Sequence, residues 1–145
     1  MKTNEAGLAI IKGFEGLRLK AYLCPAGKWT IGWGHTRGVR PGLVVSETEA
    51  ERLLRLDVED AEADVLKAIR GVPTTDNQFS ALVSFTFNVG VGNLLTSSVL
   101  RYHRAGKYKL ASAAFMWWVK GGRPKRTIPG LIRRRNAERK LYGAP

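Results

Sequence analysis

Apolar positions in this chain follow a helical period almost throughout, and a period of two in one short window. Leu8, Ile11 and Phe14 recur on one side of a first helix over Asn4 to Phe14, with Thr3 or Asn4 available to cap it. Gly13 and Gly16 bracket Glu15, so the spacing predicts that the helix ends and turns there. Leu17, Leu19, Ala21 and Leu23 then alternate with Arg18, Lys20 and Tyr22, the period of a strand. Pro25-Ala26-Gly27 supplies a turn, and Trp29-Thr30-Ile31 favours a returning strand. Gly32 and Gly34 allow close backbone approach, to the sheet or to a ligand. Arg40-Pro41-Gly42 closes this section.

Helical spacing resumes at Ser46. Ser46-Glu47-Thr48-Glu49 reads as a capping box, with early acids that complement the helix dipole. The pattern runs to about Arg70 through Leu53, Leu56, Val65 and Ile69, a rod long enough to join two lobes. Gly71, Pro73 and Thr74 stop it, and Thr75 or Asp76 caps the next helix. Phe79, Leu82, Val83, Phe85 and Phe87 make that helix apolar on most sides, as a central buried helix is, until Gly90 and Gly92 end it. Shorter helices are expected over Thr96 to Ala105 and Tyr108 to about Val119. A loop follows at Gly121-Gly122-Arg123-Pro124, then a last helix from Pro129 to about Tyr142. The order predicts an α+β fold in one domain, residues 1–145. A small β lobe covers about 15–45, a connecting helix 46–70, and a helical lobe 1–14 with 71–145.

Composition fits this picture and charge adds to it. The chain has 145 residues, 44% of them hydrophobic, enough for a soluble core. Its 24 Lys and Arg against 12 Asp and Glu give +12, unevenly spread. Residues 46–70 hold 8 acidic and 4 basic side chains, whereas residues 101–145 hold 13 basic and 1 acidic. Such a C-terminal third expects a polyanion: nucleic acid, anionic lipid or an anionic wall polymer. No zinc-finger, helix-turn-helix or RNA-binding pattern supports nucleic acid. A membrane-active protein working through its cationic C-terminal region is the competing reading. One cysteine rules out an internal disulfide, no apolar run approaches a membrane span, and no signal-peptide core is legible.

The candidate chemistry gathers in the strand window. Glu15 stands among Phe14, Gly16 and Leu17; an apolar setting raises a carboxyl pKa and makes a general acid, while a solvated helix end does neither. Cys24 precedes Pro25 in a turn. It is either a small buried hydrophobe or a functional thiol that Lys20 and Lys28 help to ionise. Thr30 alone is an ordinary strand residue. With two histidines and no matching Cys or Asp spacing, His35 reads as a structural hydrogen-bond or ion-pair partner, and no metal or cofactor is expected. Trp29, Trp33, Trp117 and Trp118 are core residues or sugar-stacking surfaces. Arg133, Arg134 and Arg135 cannot all share one helix face, so at least one turns inward or towards a cleft.

Glu15, Cys24 and Thr30, separated by eight and five residues, resemble the catalytic signature of the phage-type, T4-lysozyme-like muramidases: Glu, eight residues, Asp or Cys, five residues, Thr. The flanks EGLRLKAY and WTIGWGHT, and the later segments EAERLLRLDV, ALVSFTFNVG and RRRNAERKLY, are similar to that family in order along the whole chain. The resemblance implies a lysozyme-like fold with a cleft between the two lobes. It implies hydrolysis of the β-1,4 bond between N-acetylmuramic acid and N-acetylglucosamine in peptidoglycan. Glu15 would then protonate the leaving oxygen, Cys24 would stabilise charge or activate water, and Thr30 would position that water. Phe87, Ser97 and Ser98 would line the saccharide groove, and His35 with Asp57 would tie the small lobe to the long helix. Cys24 stands where Asp is commoner, which leaves base, nucleophile and water anchor open. The resemblance further implies a monomer held in the host cytoplasm until a separate membrane-lesion protein, a holin, releases it to the wall.

Overall fold

The structure is a computed structural model and describes residues 1–122 and 124–145. Arg123, in the expected loop, lies outside the described residues. Helix α1 (Glu5–Glu15) starts at Asn4, whose side chain accepts from the Gly7 amide at 2.9 Å. It stops at Gly16, where φ is 72°, a value that suits a residue without Cβ. Strands β1 (Arg18–Leu23) and β2 (Trp29–Gly32) pair antiparallel, with Tyr22 opposite Thr30. The ladder is irregular between Arg18 and Tyr22, and residues 43–45 run along the other edge of β1. The Ala21 amide donates to Leu43 O at 2.8 Å, and the Val45 amide to Leu19 O at 2.9 Å.

The alternation along β1 does not give a buried face. Ala21 is buried, but Leu19 and Leu23 are 39% and 55% exposed. A two-stranded sheet offers too little surface behind it to cover them.

Helix α2 (Glu47–Ala68) is capped by Ser46, whose hydroxyl accepts from the Glu49 amide at 3.1 Å. The expected capping box is only half formed, because the Glu49 carboxylate pairs with Arg52 instead. The buried stripe is Ala50, Leu54, Val58, Ala61, Val65 and Ala68. Leu56, expected inward, is 43% exposed. The alanine-bearing stripe lets neighbours lie close: a Cβ on Gly32 of β2 would sit 3.5 Å from Ala50 Cβ. Helix α3 (Asp76–Val89) has a full capping box between Thr75 and Gln78, and every residue from Gln78 to Thr86 is buried.

A short helix that was not expected, α4 (Val91–Thr96), precedes a joint at Ser97, and the helix expected over 96–105 is α5 (Ser98–Arg104). Helix α6 (Tyr108–Ala114) and a 3-10 turn (Phe115–Trp117) follow, ending short of Val119. Around the expected loop, β3 (Lys120–Gly121) and β4 (Arg126–Thr127) form a small hairpin. Helix α7 (Pro129–Gly143) packs across α3, α1 and α6. The core surrounds α3, with Ile11, Leu54, Val65, Leu94, Leu100, Phe115 and Tyr142 against it. The architecture is α+β: a small N-terminal sheet, a long helix, and a helical body.

Candidate active site

Glu15 is the last residue of α1, and its side chain is about a quarter exposed. Its surroundings are not the apolar ones expected from its neighbours in sequence. Oε1 accepts from Arg134 Nη1 at 3.2 Å, and Phe14 is turned out, 39% exposed. Arg134 is 3% exposed and fully engaged: Nη2 donates to Ser84 O at 3.1 Å and Nε to Glu138 Oε2 at 3.3 Å. Glu138, fully buried, also accepts from Ser84 Oγ at 2.5 Å and from Arg135 Nη1. Arg135 donates further to Trp118 O at 2.9 Å and to Asn88 Oδ1. Burial pulls its guanidinium below the ordinary arginine value, and the Glu138 carboxylate opposes that. The i, i+4 spacing on α7 therefore turns Arg134 and Glu138 to one inner face, with Arg135 beside them. Two of the three adjacent arginines are internal, and one reaches the acid of the cleft.

Gly34 completes the acid's setting. Its φ is 80°, and a Cβ there would meet Glu15 Oε2 at 2.8 Å. Only glycine lets the 32–36 turn lie against the carboxylate.

Cys24 and Thr30 stand on the β1–β2 hairpin, Cys24 in its turn and Thr30 on β2. The turn is tied by Cys24 N to Lys28 O and by Gly27 N to Cys24 O, each 2.9 Å. Thr30 is buried, its hydroxyl donating to Lys28 O at 3.0 Å. Cys24 is partly exposed and unpaired. Its thiol is held below the ordinary cysteine value, first by the Lys28 backbone hydrogen bond. The Thr30 hydroxyl, the Ala26 backbone and the Lys28 charge add to this, against a desolvation effect that raises it. A thiol in such a site is not core filler in the geometric sense: it reaches solvent at a turn built of backbone donors.

Two cavities are lined, one by Glu15 and the other by Gly34. One, about 550 Å³, is lined by Glu15, Phe14, Asn88, Ile128, Arg133 and Arg134. The other, about 260 Å³, is lined by Gly34, Thr36, Thr86, Phe87 and Val91, with Asp57, Asp60 and Asp64 of α2 along one wall. Gly34 lines the second cavity and packs against Glu15, which lines the first. Phe87 thus lies in the groove. Ser97 does not offer its hydroxyl to it: the residue is buried, donating to Leu94 O at 2.7 Å and accepting from Leu100 N at 3.1 Å as the cap of α5. Its contacts support a structural role. Ser98 is partly exposed and accepts from Arg101 Nη2 at 2.9 Å.

His35 and Asp57 meet at 2.8 Å, Nδ1 to Oδ2, joining the end of the sheet segment to α2. The other ring nitrogen faces Arg37 O at 2.8 Å. Arg37, Arg134, Glu138 and Asn88 were not singled out by sequence for these places. The one available signal was Glu138 itself, the sole acid among 13 basic residues in 101–145.

A family model described as phage lysozyme matches residues 12–138. An endolysin of Acyrthosiphon pisum secondary endosymbiont phage 1 is 46% identical over 144 residues, covering 98% of this chain and 98% of its own length. An endolysin of Bacillus phage B103 is 45% identical across 98% of this chain, which spans 54% of that relative's length. Among solved structures, the muramidase domain of SpmX from Asticaccaulis excentricus superposes with a TM-score of 0.93 at 39% identity, covering 99% of each chain.

Proposed function

The chain belongs to the phage lysozyme family, and on that premise we propose that Glu15 is the general acid of an endolysin that cleaves the glycan strands of peptidoglycan. The bond is the β-1,4 link from N-acetylmuramic acid to N-acetylglucosamine. The observation that carries the assignment is the carboxyl lining a cavity of about 550 Å³, held on one oxygen by a buried arginine and approached on the other by Gly34. Oε1 is occupied by Arg134, so Oε2, against Gly34, carries the proton given to the leaving oxygen. We place Cys24 and Thr30 across the cleft from it, as the family signature implies. The lowered thiol supports a thiolate that stabilises positive charge on the sugar or takes a proton from water, and Thr30 keeps that turn in shape. Phe87 and Ser98 flank the saccharide, and the His35–Asp57 pair fixes the sheet segment on α2.

The residue ranges divide by role: about 15–45 bring the hairpin, 46–70 the connecting helix, and the remainder the helical body. Exposed cations such as Lys120, Lys125, Arg126 and Arg133 draw the enzyme, acting as a monomer, to the anionic wall. No described helix is long and apolar enough to cross a membrane. Release to the wall by a separate membrane-lesion protein is what the family resemblance implies.

The test is Glu15→Gln on purified peptidoglycan, read by mass analysis of released fragments. General acid catalysis supplies about 10²–10⁴ in rate, so muropeptide release should fall at least that far with the fold retained. Release at near wild-type rate would remove Glu15 from the chemistry.

A further inference from the structure

Trp117 is the one tryptophan among the described residues that is mostly outside the protein, 61% exposed. It ends the 3-10 turn after α6, where nothing in the cleft chemistry uses it. Its ring stands edge-on to Tyr102 of α5, with centroids 6.4 Å apart. The Arg101 guanidinium lies 5.3 Å from the centre of the Tyr102 ring, and its other end bonds Ser98 Oγ at 2.9 Å. Ser98, Arg101, Tyr102 and Trp117 therefore form one connected strip of aromatic, hydroxyl and guanidinium groups.

The strip is anchored to the cleft at both ends. Ser98 opens α5 directly after α4, whose Val91 lines the groove with Phe87. Trp118, next to Trp117, packs on Phe85 at 5.6 Å and gives its carbonyl to Arg135, which holds Asn88 in the wall of the Glu15 cavity. A displacement of the Trp117 backbone is thus resisted by the same network that holds the acid. The indole is kept in a fixed frame beside Tyr102 and Arg101 with most of its surface free, so it is available as a contact surface.

We propose that Trp117 and Tyr102, with Arg101, form a platform outside the cleft that holds the peptidoglycan strand beyond the sugars being cut. This rests on the reading of the chain as a peptidoglycan hydrolase. A pyranose ring presents a face of C–H groups that packs flat on an indole, while its hydroxyls stay in water. The stem peptides along the strand carry carboxylates, and a guanidinium beside the aromatic pair is the planar donor that takes one in bidentate fashion. The neighbouring exposed side chains are of one sign: Lys107, Lys109 and Lys120 are all basic, which complements an anionic strand. A platform of this kind raises residence on the polymer without entering the bond-breaking step, so its effect grows with substrate length.

The experiment compares Trp117→Ala and Trp117→Phe with the parent on two substrates. Binding is read by sedimentation with intact peptidoglycan sacculi in the Glu15→Gln background, where no cleavage confuses the result. Turnover is read in the Glu15 enzyme on sacculi and on a short soluble saccharide that fills the cleft alone. Trp117→Ala should weaken sacculus binding about tenfold, the size of one lost aromatic contact. Trp117→Phe should recover most of that. Turnover on sacculi should fall at least fivefold more than turnover on the short saccharide. Equal losses on both substrates, or sacculus binding within twofold of the parent, would overturn the platform. So would loss of binding to anionic phosphatidylglycerol vesicles with sacculus binding intact, which would make the strip a membrane contact. If the parent itself releases no fragments from sacculi, the hydrolase reading fails first and independently.

Discussion

The acid and the thiol of the cleft are positioned by opposite means. Glu15 is held through side chains: Arg134, Arg135, Glu138, Ser84 and Asn88 form a buried charged network between α3 and α7. Cys24 is held through backbone: two main-chain bonds of 2.9 Å close its turn, and a partly exposed strand pair carries it. The first arrangement holds the acid through one buried guanidinium, Arg134, whose other donors are fixed by Glu138 and Ser84, and it depends on every member being present, since a buried charge without its partner is costly. The second fixes only the path of the chain and leaves the side chain replaceable. Chemistry that needs one proton at one oxygen sits on the rigid side. The position where the family signature admits two residue types sits on the tolerant one.

The difference is sharpest at Glu138. Glu138→Ala leaves Arg134 and Arg135 buried without their carboxylate, and breaking such a pair costs about 3–5 kcal/mol. Urea denaturation should show a loss of that order. Replacing Arg134, Arg135 and Glu138 together by Met, Met and Leu should restore much of the stability, because no charge is then stranded. Activity should stay low in the triple variant, since Glu15 has lost its guanidinium. A stable triple variant with full activity would break the link between network and acid.

Acid should separate the two regions next. His103 is fully buried in the helical body, its ring between Thr74 Oγ1 at 2.9 Å and Tyr142 OH at 2.6 Å. Thr74 donates to Val72 O, so it accepts from Nε2–H, and Nδ1 accepts from Tyr142. Burial lowers the histidine to about 4 and raises the tyrosine. The unfolded chain, with a histidine near the ordinary ~6.5, binds more protons between those values. The stability due to neutral His103 is complete above about 6.5 and is lost as pH falls towards 4. From pH 7 to 5 the loss should be about 2 kcal/mol. In His103→Gln, which keeps hydrogen-bonding groups but does not titrate, that slope should flatten. An unchanged slope would place the acid sensitivity elsewhere.

Gly34→Ala tests the meeting point. The residue adopts φ of 80°, and the new Cβ would press on Glu15 Oε2 at 2.8 Å. The left-handed backbone costs roughly 1–2 kcal/mol for a non-glycine residue. Melting should shift accordingly, and muropeptide release should fall by more than the stability loss explains. Equal activity would show that Oε2 has room to spare.

The sequence made the tolerant region easier to read than the rigid one. Period-two spacing, Pro25-Ala26-Gly27 and Trp29-Thr30-Ile31 announce a hairpin, because turn chemistry and strand preference are local. Glu15 to Arg134 spans 119 residues, and no local pattern encodes such a pair. The arginine run showed that one must turn inward but not which, nor that Glu138 would join them. α2 was legible in its length, while its inner stripe was set by alanines that hydrophobic counting passes over. The resemblance puts Ser97 in the groove, whereas its hydroxyl is consumed at the joint between α4 and α5; α4 itself was hidden by Gly90 and Gly92, which argue against a helix. The β3–β4 hairpin is two residues a side, too short for any period to register.

The smallest structural effect is expected at Cys24, and it decides whether the hairpin is tolerant as its geometry suggests. Cys24→Asp places a carboxylate where the thiol meets the Lys28 and Ala26 backbone groups, the Thr30 hydroxyl and the Lys28 charge, all of which favour a negative group. The side chain is partly exposed and the turn is closed by main-chain bonds, so stability should stay within about 0.5 kcal/mol of wild type, as at an ordinary surface site. Activity should persist if a negative charge at this place is what the chemistry uses, since the same surroundings that lower the thiol stabilise a carboxylate. Cys24→Ser keeps the shape but not the charge. If the charge does the work, its muropeptide release should drop by tenfold or more, and iodoacetamide should inactivate the wild type at pH 7 faster than it modifies an unstructured cysteine, because the lowered thiol is more ionised there. Full activity in Cys24→Ser would reduce the residue to holding water. A Cys24→Asp protein that loses several kcal/mol would mean that the hairpin packs this side chain as tightly as α3 and α7 pack Glu138, and the contrast between the two regions would be gone.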